Sequence, residues 1–197
     1  MLIDHVGALF FPEVSIFRIV GRIAFPIFCY TLVEGFFHTK NVKGYLIRLG
    51  MFAILSEIPY DLAFSNKVID IEGQNIFFTL FFGVLMMWLV SETSSYVVKS
   101  IIAIALLIIC RGLQVDYANM GILIIFAFYI FRGNKVKQLL SAGLVMLLLS
   151  RGLQLFALSA FIPIWFYNYK RGPKMKLFFY LFYPLHLILL YLLTFAI

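Results

Sequence analysis

Charged residues are scarce in this chain of 197 residues: Asp, Glu, Lys and Arg make up 13% of it, and only 9 residues are acidic. An ordinary soluble domain carries about 25% charged and roughly 45–50% apolar residues. Here 63% of the residues are hydrophobic, with a mean hydropathy of +1.01. Because so few charges cannot form a polar shell, the composition excludes a soluble globular enzyme and predicts lipid as the surrounding solvent.

Cysteines and familiar catalytic signatures are also scarce or missing. Cys29 and Cys110 lie within apolar runs and lack the spacing of a disulfide framework or a metal site, which indicates a packing role. The sequence contains no Walker loop and no GxGxxG, HExxH, CxxC or GxSxG pattern. We therefore expect no metal, dinucleotide or hydrolase site.

Long apolar runs, separated by short polar clusters, dominate what is present. They predict an all-α, polytopic membrane helix bundle that forms a single domain over residues 1–197. The first of about nine expected segments is short and lacks the basic start of a signal peptide. The segments are roughly 1–11, 14–37, 44–64, 76–91, 97–110, 118–131, 138–150, 153–168 and 177–196.

The net charge of +7 predicts the orientation of these segments. If Glu13 lies outside and the segments alternate, the inner loops hold 11 of the Lys and Arg residues and the outer loops hold 3. Cytoplasmic loops of membrane proteins carry such an excess of cations. We therefore expect an inner N-terminus, an outer C-terminus and no nucleic-acid partner.

Ionisable residues at membrane depth are the first candidates for a functional site, because each is costly to bury. Arg18 and Arg22 are four residues apart on the second segment, and Glu57 and Asp61 are four apart on the third. We expect these two pairs to neutralise each other in one buried network, which either lines a site or only locks the bundle. Pro59 predicts a local break there.

Two histidines are expected at mid-depth, His5 in the first segment and His186 in the last. Neighbours on a helix point about 100° apart, so Asp4 and His5 each need a partner elsewhere. A single membrane histidine commonly makes only a hydrogen bond between helices. Two at one depth also suit acid–base chemistry, because histidine titrates near neutrality. His38, beside Lys40, is expected at the interface.

Other polar residues border the segments. Asn75 and Thr79 begin the fourth, and Asp116 and Tyr117 precede the sixth, so all four could line an outward-facing polar mouth; helix capping explains Asp116 equally well. Glu34 faces an inner vestibule or extends to the interface.

A basic stretch is expected at the inner face. It could hold the phosphates of a cytosolic cofactor, or it could anchor the chain to anionic lipid. The candidate residues are Lys40, Lys170, Arg171 and Lys174, with Lys176 beside them.

Several polar motifs in order resemble the TraX family, named for the F-pilin acetylase of conjugative plasmids. The motifs are MLIDHVGALFFP at the start, RIVGRIAFPIFCYTLVEGFFHTKN from residue 18, LSEIPYDLAF from 55, IFFTLFFG from 76 and the closing FYLFYPLHLILLYLL. The resemblance implies a bacterial plasma-membrane protein, acetyl-CoA as donor, acetylation as reaction and a histidine as base. It also implies a first helix that extends upstream of Met1, and glycines where Ala118 and Tyr169 stand.

We expect a membrane acetyltransferase in which His5 deprotonates the acceptor and His186 or Tyr183 orients the reacting groups. The acceptor is a peptide, a pilin-like protein or a small molecule with an amine or hydroxyl, and the oligomeric state stays open. The alternative is a small proton-coupled transporter that uses the buried ionisable set as a relay. The predicted catalytic residues are His5, His186, Asp4, Glu57 and Asp61, and the predicted substrate-binding residues are Arg18, Arg22, Glu34, Asn75, Thr79, Asp116, Tyr117 and Tyr183.

Overall fold

The computed structural model describes residues 1–170, 172, 173 and 175–195, except the side chain of Lys176, and this part of the chain is helical with one isolated bridge, Gln74 to Val115. The all-α prediction is confirmed. The helices are α1 (Leu2–Phe10), α2 (Ser15–Arg22), α3 (Ala24–His38), α4 (Val42–Ser65), α5 (Ile76–Ser91), α6 (Tyr96–Gly112), α7 (Ala118–Ile130), α8 (Lys135–Leu149), a 3₁₀-helix (Gly152–Ala160), α9 (Phe161–Trp165) and α10 (Lys176–Leu193).

Seven of the predicted segments each correspond to one helix, with ends that agree to within three residues. Side-chain caps explain two of the starts. Asn75 accepts the backbone N–H of Phe77 at the start of α5, and Asn134 accepts that of Lys137 at the start of α8. Such caps satisfy N–H groups that have no partner within the helix.

Two predicted segments are not single helices. Segment 14–37 is divided at Ile23 into α2 and α3, and segment 153–168 is a 3₁₀-helix followed by the short α9. Proline explains both differences, because Pro26 and Pro163 have no N–H to donate to the carbonyl four residues earlier. The predicted break at Pro59 is wrong, since α4 continues through it.

One stretch of helix in the described residues has the length and apolar character needed to cross a membrane. It comprises α2 and α3, Ser15–His38, over 24 residues. The shorter apolar helices are Ile76–Ser91, Ala118–Ile130, Gly152–Trp165 and Leu177–Leu193.

The chain divides into two compact units, with boundaries inside α3 and α4. The first unit contains Met1–Ile27, Ile54–Asp70 and Gly152–Ile197, and the second contains Phe28–Ala53 and Ile71–Arg151. In the first, α2 packs against α1 and the 3₁₀-helix, and α10 contacts α1. In the second, α5, α6 and α7 enclose a core that includes Met86, Cys110 and Ile122. The single domain stays a prediction.

Candidate active site

His5 of α1 and His186 of α10 are in direct contact in the first unit. Nδ1 of His5 lies 2.9 Å from Nε2 of His186, and the two rings are nearly parallel, 7° apart, with centroids separated by 5.1 Å. His186 is buried and His5 is half-buried. The two histidines that the sequence places at one depth are thus hydrogen-bonded across 181 positions of the chain.

The hydrogen-bond partners assign the protons on this pair. Nδ1 of His186 lies 2.7 Å from the carbonyl oxygen of Phe182. A carbonyl only accepts, so Nδ1 of His186 donates, and in the neutral ring Nε2 carries the lone pair. Nδ1 of His5 therefore donates to Nε2 of His186. The lone pair of neutral His5 then lies on Nε2, the nitrogen that a base uses.

Aromatic side chains surround the pair. The Phe182 ring stacks on His186 at 4.9 Å, and the Tyr183 ring meets both imidazoles edge-on, at 6.1 Å from His5 and 5.5 Å from His186. Phe64 of α4 contacts His5 edge-on at 5.2 Å. These apolar walls limit water and so strengthen the hydrogen bonds within the pair.

Asp4 lies on a different side of α1 and pairs with α2. Its Oδ1 is 3.3 Å from Nη1 of Arg18 and 3.8 Å from Nε of Arg22, and Nη1 of Arg18 also donates to the Asp4 carbonyl at 3.2 Å. The carboxylate distances are those of ion pairs rather than well-formed hydrogen bonds. Asp4 is thus an anion beside both arginines that the sequence analysis did not pair with them, and the network with Glu57 and Asp61 stays a prediction.

Gly21 allows this approach of α1 to α2. A Cβ atom at Gly21 would lie 2.6 Å from the Cα atom of Asp4, closer than real Cβ atoms come to backbone. Glycine is thus required for α2 to bring its arginines to Asp4. Adjacent positions on α1 consequently serve two different neighbours, α2 through Asp4 and α10 through His5.

Asp61 of α4 has a local role. It is almost fully buried, and its Oδ2 accepts the backbone N–H of Asp70 at 2.8 Å, which fastens the loop that follows α4. Lys67 pairs with the Asp70 carboxylate at 3.4 Å in the same loop. Glu57, one turn earlier on α4, is half-buried. The structure thus gives Asp61 a backbone partner that helical spacing does not reveal.

Asn75 and Thr79, in the second unit, are fully buried and bound to backbone groups. Nδ2 of Asn75 donates to the carbonyl of Ala53 at 2.8 Å, and the Thr79 hydroxyl donates to that of Asp116. The polar mouth expected from these residues is corrected, because their polar atoms hold the start of α5 in place. The N-cap of α7 is Tyr117, with φ of 57°, and the Tyr117 side chain makes no cap hydrogen bond.

Glu34 of α3 forms an ion pair that the sequence analysis missed. Oε1 and Oε2 of the buried carboxylate lie 3.1 and 3.4 Å from Nε and Nη2 of Arg132, and the guanidinium lies over the Phe37 ring at 4.1 Å. Nδ1 of His38 donates to the Glu34 carbonyl at 2.8 Å. The sequence does contain a signal for this pair. A carboxylate in an apolar helix needs a cation, and Arg132, which follows α7 directly, is one of the cations available.

The predicted cofactor-binding residues are only partly described. Lys40 and Lys170 are exposed, and Arg171 and Lys174 lie outside the described residues. No group of three His, Cys, Asp or Glu side chains in the described ranges could hold a metal ion together. Cys29 and Cys110 are fully buried free thiols.

Comparison with known proteins identifies relatives that cover most of the chain. It is 29% identical to "Probable fimbrial assembly protein FimC, serogroup H1" of Dichelobacter nodosus, over 96% of this chain and 89% of that protein. It is 24% identical to "Uncharacterized protein RP591" of Rickettsia prowazekii, over 70% of this chain and 53% of that protein. No solved structure matches. The family model "TraX protein" matches residues 1–194, and the chain therefore belongs to the TraX family.

Proposed function

We propose that this TraX protein is a membrane acetyltransferase that moves the acetyl group of acetyl-CoA to an amine or hydroxyl acceptor, with His5 as general base. The hydrogen-bonded histidine pair is the observation that supports this proposal best. In this pair, Nδ1 of His5 donates to Nε2 of His186, so the lone pair of His5 lies on its Nε2. An imidazole oriented by a second group is the usual arrangement of a general base.

The reaction balances with these two residues alone. Nε2 of His5 removes a proton from the acceptor as its nitrogen or oxygen attacks the thioester carbonyl carbon. The new C–N or C–O bond forms, the C–S bond breaks, and the CoA sulfur leaves with the proton that His5 returns. His186 accepts Nδ1–H throughout, so it holds the tautomer of His5 and stabilises the imidazolium. Tyr183, packed against both rings, restricts their orientation.

The names of the relatives favour one class of acceptor. The Dichelobacter protein is named as a fimbrial assembly protein, and the family name derives from a pilin acetylase. A pilin-like protein or peptide is therefore the first acceptor to test. On the donor side, exposed Lys40 and Lys170, with Arg171 and Lys174, are the cations proposed to attract the phosphates of acetyl-CoA from the cytosol.

We place the chain in the bacterial plasma membrane, with the N-terminus inside and the C-terminus outside. Support comes from the apolar stretch Ser15–His38 and from large apolar side chains exposed on α6 and α8, such as Ile101, Ile108, Leu144 and Leu148. Exposed apolar faces of this extent are uncommon on soluble monomers.

Cysteine labelling tests this topology. Single cysteines near Lys67 and Asn119 should react with an impermeant maleimide in intact cells, and cysteines near Lys40 and Lys135 should react only after permeabilisation. Native Cys29 and Cys110 are buried, so background labelling should be low. The reverse pattern would overturn the orientation.

Labelled acetyl-CoA tests the activity. Proteoliposomes incubated with it and a host membrane extract should yield an acetylated product, and His5→Ala should abolish that product while folded yield is preserved. If proton uptake into the vesicles accompanies solute entry, and neither protein forms acetylated product, the chain is a transporter. Full acetylation by His5→Ala with loss in His186→Ala would exchange the two roles.

A further inference from the structure

The second unit contains a half-open cavity of about 800 Å³. Side chains of α5, α6 and α7, with Phe37 of α3 and Arg132 after α7, line it. Pockets for cofactors and drug-sized ligands measure about 300–1,000 Å³ and combine apolar walls with a few convergent polar groups. This cavity has both properties.

Parallel aromatic rings form one wall. Phe37 stacks on Tyr129 at 5.5 Å and 18°, and Tyr129 stacks on Phe126 at 6.3 Å and 17°. The Arg132 guanidinium covers the Phe37 ring at 4.1 Å. Three rings held nearly parallel form a surface suited to a flat aromatic ligand, because stacking requires ring planes with a common orientation.

Lys99 supplies the free cation of the cavity. Its ammonium lies 5.7 Å from the centroid of the Tyr96 ring, and no carboxylate of the described residues pairs with it. Arg132 is oriented by Glu34. Lys99 is therefore available to an anionic ligand, whereas Arg132 is held in place by the carboxylate that neutralises it.

Polar and apolar groups occupy different levels of the cavity. On α6, Tyr96, Lys99 and Ser100 lie in the first two turns, and Ala103 and Ile104 lie one turn further along the same face. Arg132 lies beyond the C-terminal end of α7, whereas Phe126 lies one turn inside it. The ligand therefore places anionic groups at the helix ends and a flat apolar group among the rings.

We infer that this cavity binds the phosphorylated adenosine end of coenzyme A, with a phosphate on Lys99 and the adenine against the rings of Phe126 and Tyr129. The inference rests on the proposed function, which supplies the donor. It is consistent with the charge pattern, because Lys99 and Arg132 belong to the loops expected on the cytosolic side, where acetyl-CoA is found. Stacking suits adenine better than an acyl chain, which has no ring face.

Binding of adenosine 3′,5′-bisphosphate and of CoA to the purified full-length protein tests the inference without any acetyl transfer. Both should raise the unfolding temperature of the wild type, since both bind the folded state. Lys99→Gln should weaken the bisphosphate by about tenfold or more, the loss expected for one charge-assisted contact. Lys137→Gln removes the same charge from an exposed position outside the cavity and should bind as the wild type does.

Tyr129 supplies an independent test of stacking. Tyr129→Leu should weaken both nucleotides by about tenfold, and Tyr129→Phe, which keeps the ring, should retain binding. Bisphosphate affinity unchanged by both Lys99→Gln and Tyr129→Leu would overturn the inference, even if the wild type binds CoA and acetylates. If the wild type binds neither acetyl-CoA nor the bisphosphate, the proposed function fails as well.

Anionic lipid is the competing occupant, and lipid nanodiscs distinguish it. In neutral phosphatidylcholine nanodiscs the bisphosphate should bind as in detergent. If phosphatidylglycerol stabilises the wild type and not Lys99→Gln, while nucleotide binding is identical in the two proteins, the cavity is a lipid site and the inference is wrong.

Discussion

The two units of the chain each contain a histidine in the same local geometry. His186 in α10 and His38 in α3 both donate from Nδ1 to the carbonyl four residues earlier, at 2.7 and 2.8 Å. In both residues Nε2 is therefore the acceptor. His186 is only 5% exposed and receives the N–H of His5, whereas the His38 side chain is 66% exposed. The same local bond thus forms part of a candidate active site only where a second imidazole meets it in an apolar environment.

The buried carboxylates Glu34, in the second unit, and Asp4, in the first, also differ in their contacts. Glu34 faces one arginine through two hydrogen bonds, while Asp4 faces two arginines at longer distances. An arginine that contacts both oxygens of one carboxylate is typical of a structural ion pair. Asp4 is instead shared between two guanidinium groups at ion-pair distances. The two buried carboxylates therefore differ in how closely a single arginine holds them.

The largest expected difference between the two histidines is catalytic. His186→Leu removes the acceptor for His5 and should lower kcat for acetyl transfer by about 100-fold, with a small change in KM for acetyl-CoA. His38→Leu should leave kcat within about twofold. Initial rates with labelled acetyl-CoA measure both.

His186→Gln separates orientation from packing. Its amide oxygen could accept the N–H of His5, so it should recover part of the activity that His186→Leu loses. If all three variants of the two histidines reduced kcat equally, the contrast between the units would have no catalytic meaning.

Double-mutant cycles compare the two carboxylates. Glu34→Gln with Arg132→Gln should give a coupling free energy of about 1–3 kcal/mol, a range that allows for the partial exposure of Arg132. Asp4→Asn with Arg22→Gln should give less than about 1 kcal/mol, because that pair lies 3.8 Å apart. Unfolding in SDS-containing mixed micelles measures both, and a larger coupling for Asp4 would reverse the comparison.

Glycine substitutions probe packing in each unit. Gly21→Ala pushes a methyl group into the backbone of α1 and should lower the free energy of unfolding by about 1–3 kcal/mol. Gly112→Ala, at the end of α6 with open space around it, should change stability by less than about 1 kcal/mol. Equal thermal shifts for the two variants would mean that α1 and α2 do not meet at Gly21.

The smallest expected effects concern backbone conformation. Tyr169 and Ala118 have φ of 59° and 31°, a region that costs residues other than glycine about 1–2 kcal/mol. Tyr169→Gly and Ala118→Gly should each stabilise the protein by up to about 1 kcal/mol, after the greater entropy of glycine in the unfolded chain is deducted. Asn66→Gly is the control: asparagine tolerates its φ of 54°, so no gain is expected. Thermal unfolding that ranks Asn66→Gly first would contradict this account.

The sequence predicted the helices well where caps and apolar runs agreed, as in α5, whose ends match the prediction. It also predicted that His5 and His186 lie at one depth, because both lie near the middle of apolar runs, and the two side chains are in contact. The positions where the family pattern implies glycine, Ala118 and Tyr169, do have left-handed backbone. In each case the information lies within a short stretch of sequence.

Partner choice could not be predicted in the same way. Helical spacing shows that Arg18 and Arg22 share a face, but it cannot show that Gly21 brings that face to Asp4. The pairing of Glu34 with Arg132 spans 98 positions, and several cations could have neutralised Glu34. Asn75 was predicted to bind substrate. Its burial and its hydrogen bond to the backbone of Ala53 are properties of the folded chain, and helical spacing does not reveal them.

The bond between His186 and Phe182 also bears on how the protein is made. It lies within one turn of α10, so it forms as soon as that helix forms and aims Nε2 before other helices pack against it. His5 is synthesised 181 positions earlier and has no such local carbonyl partner. A chain still on the ribosome, without α10, carries an imidazole whose tautomer is undefined. Under the proposed function, chemical competence would arise only when the C-terminal helix has been made and docked, and unfinished chains would not acetylate.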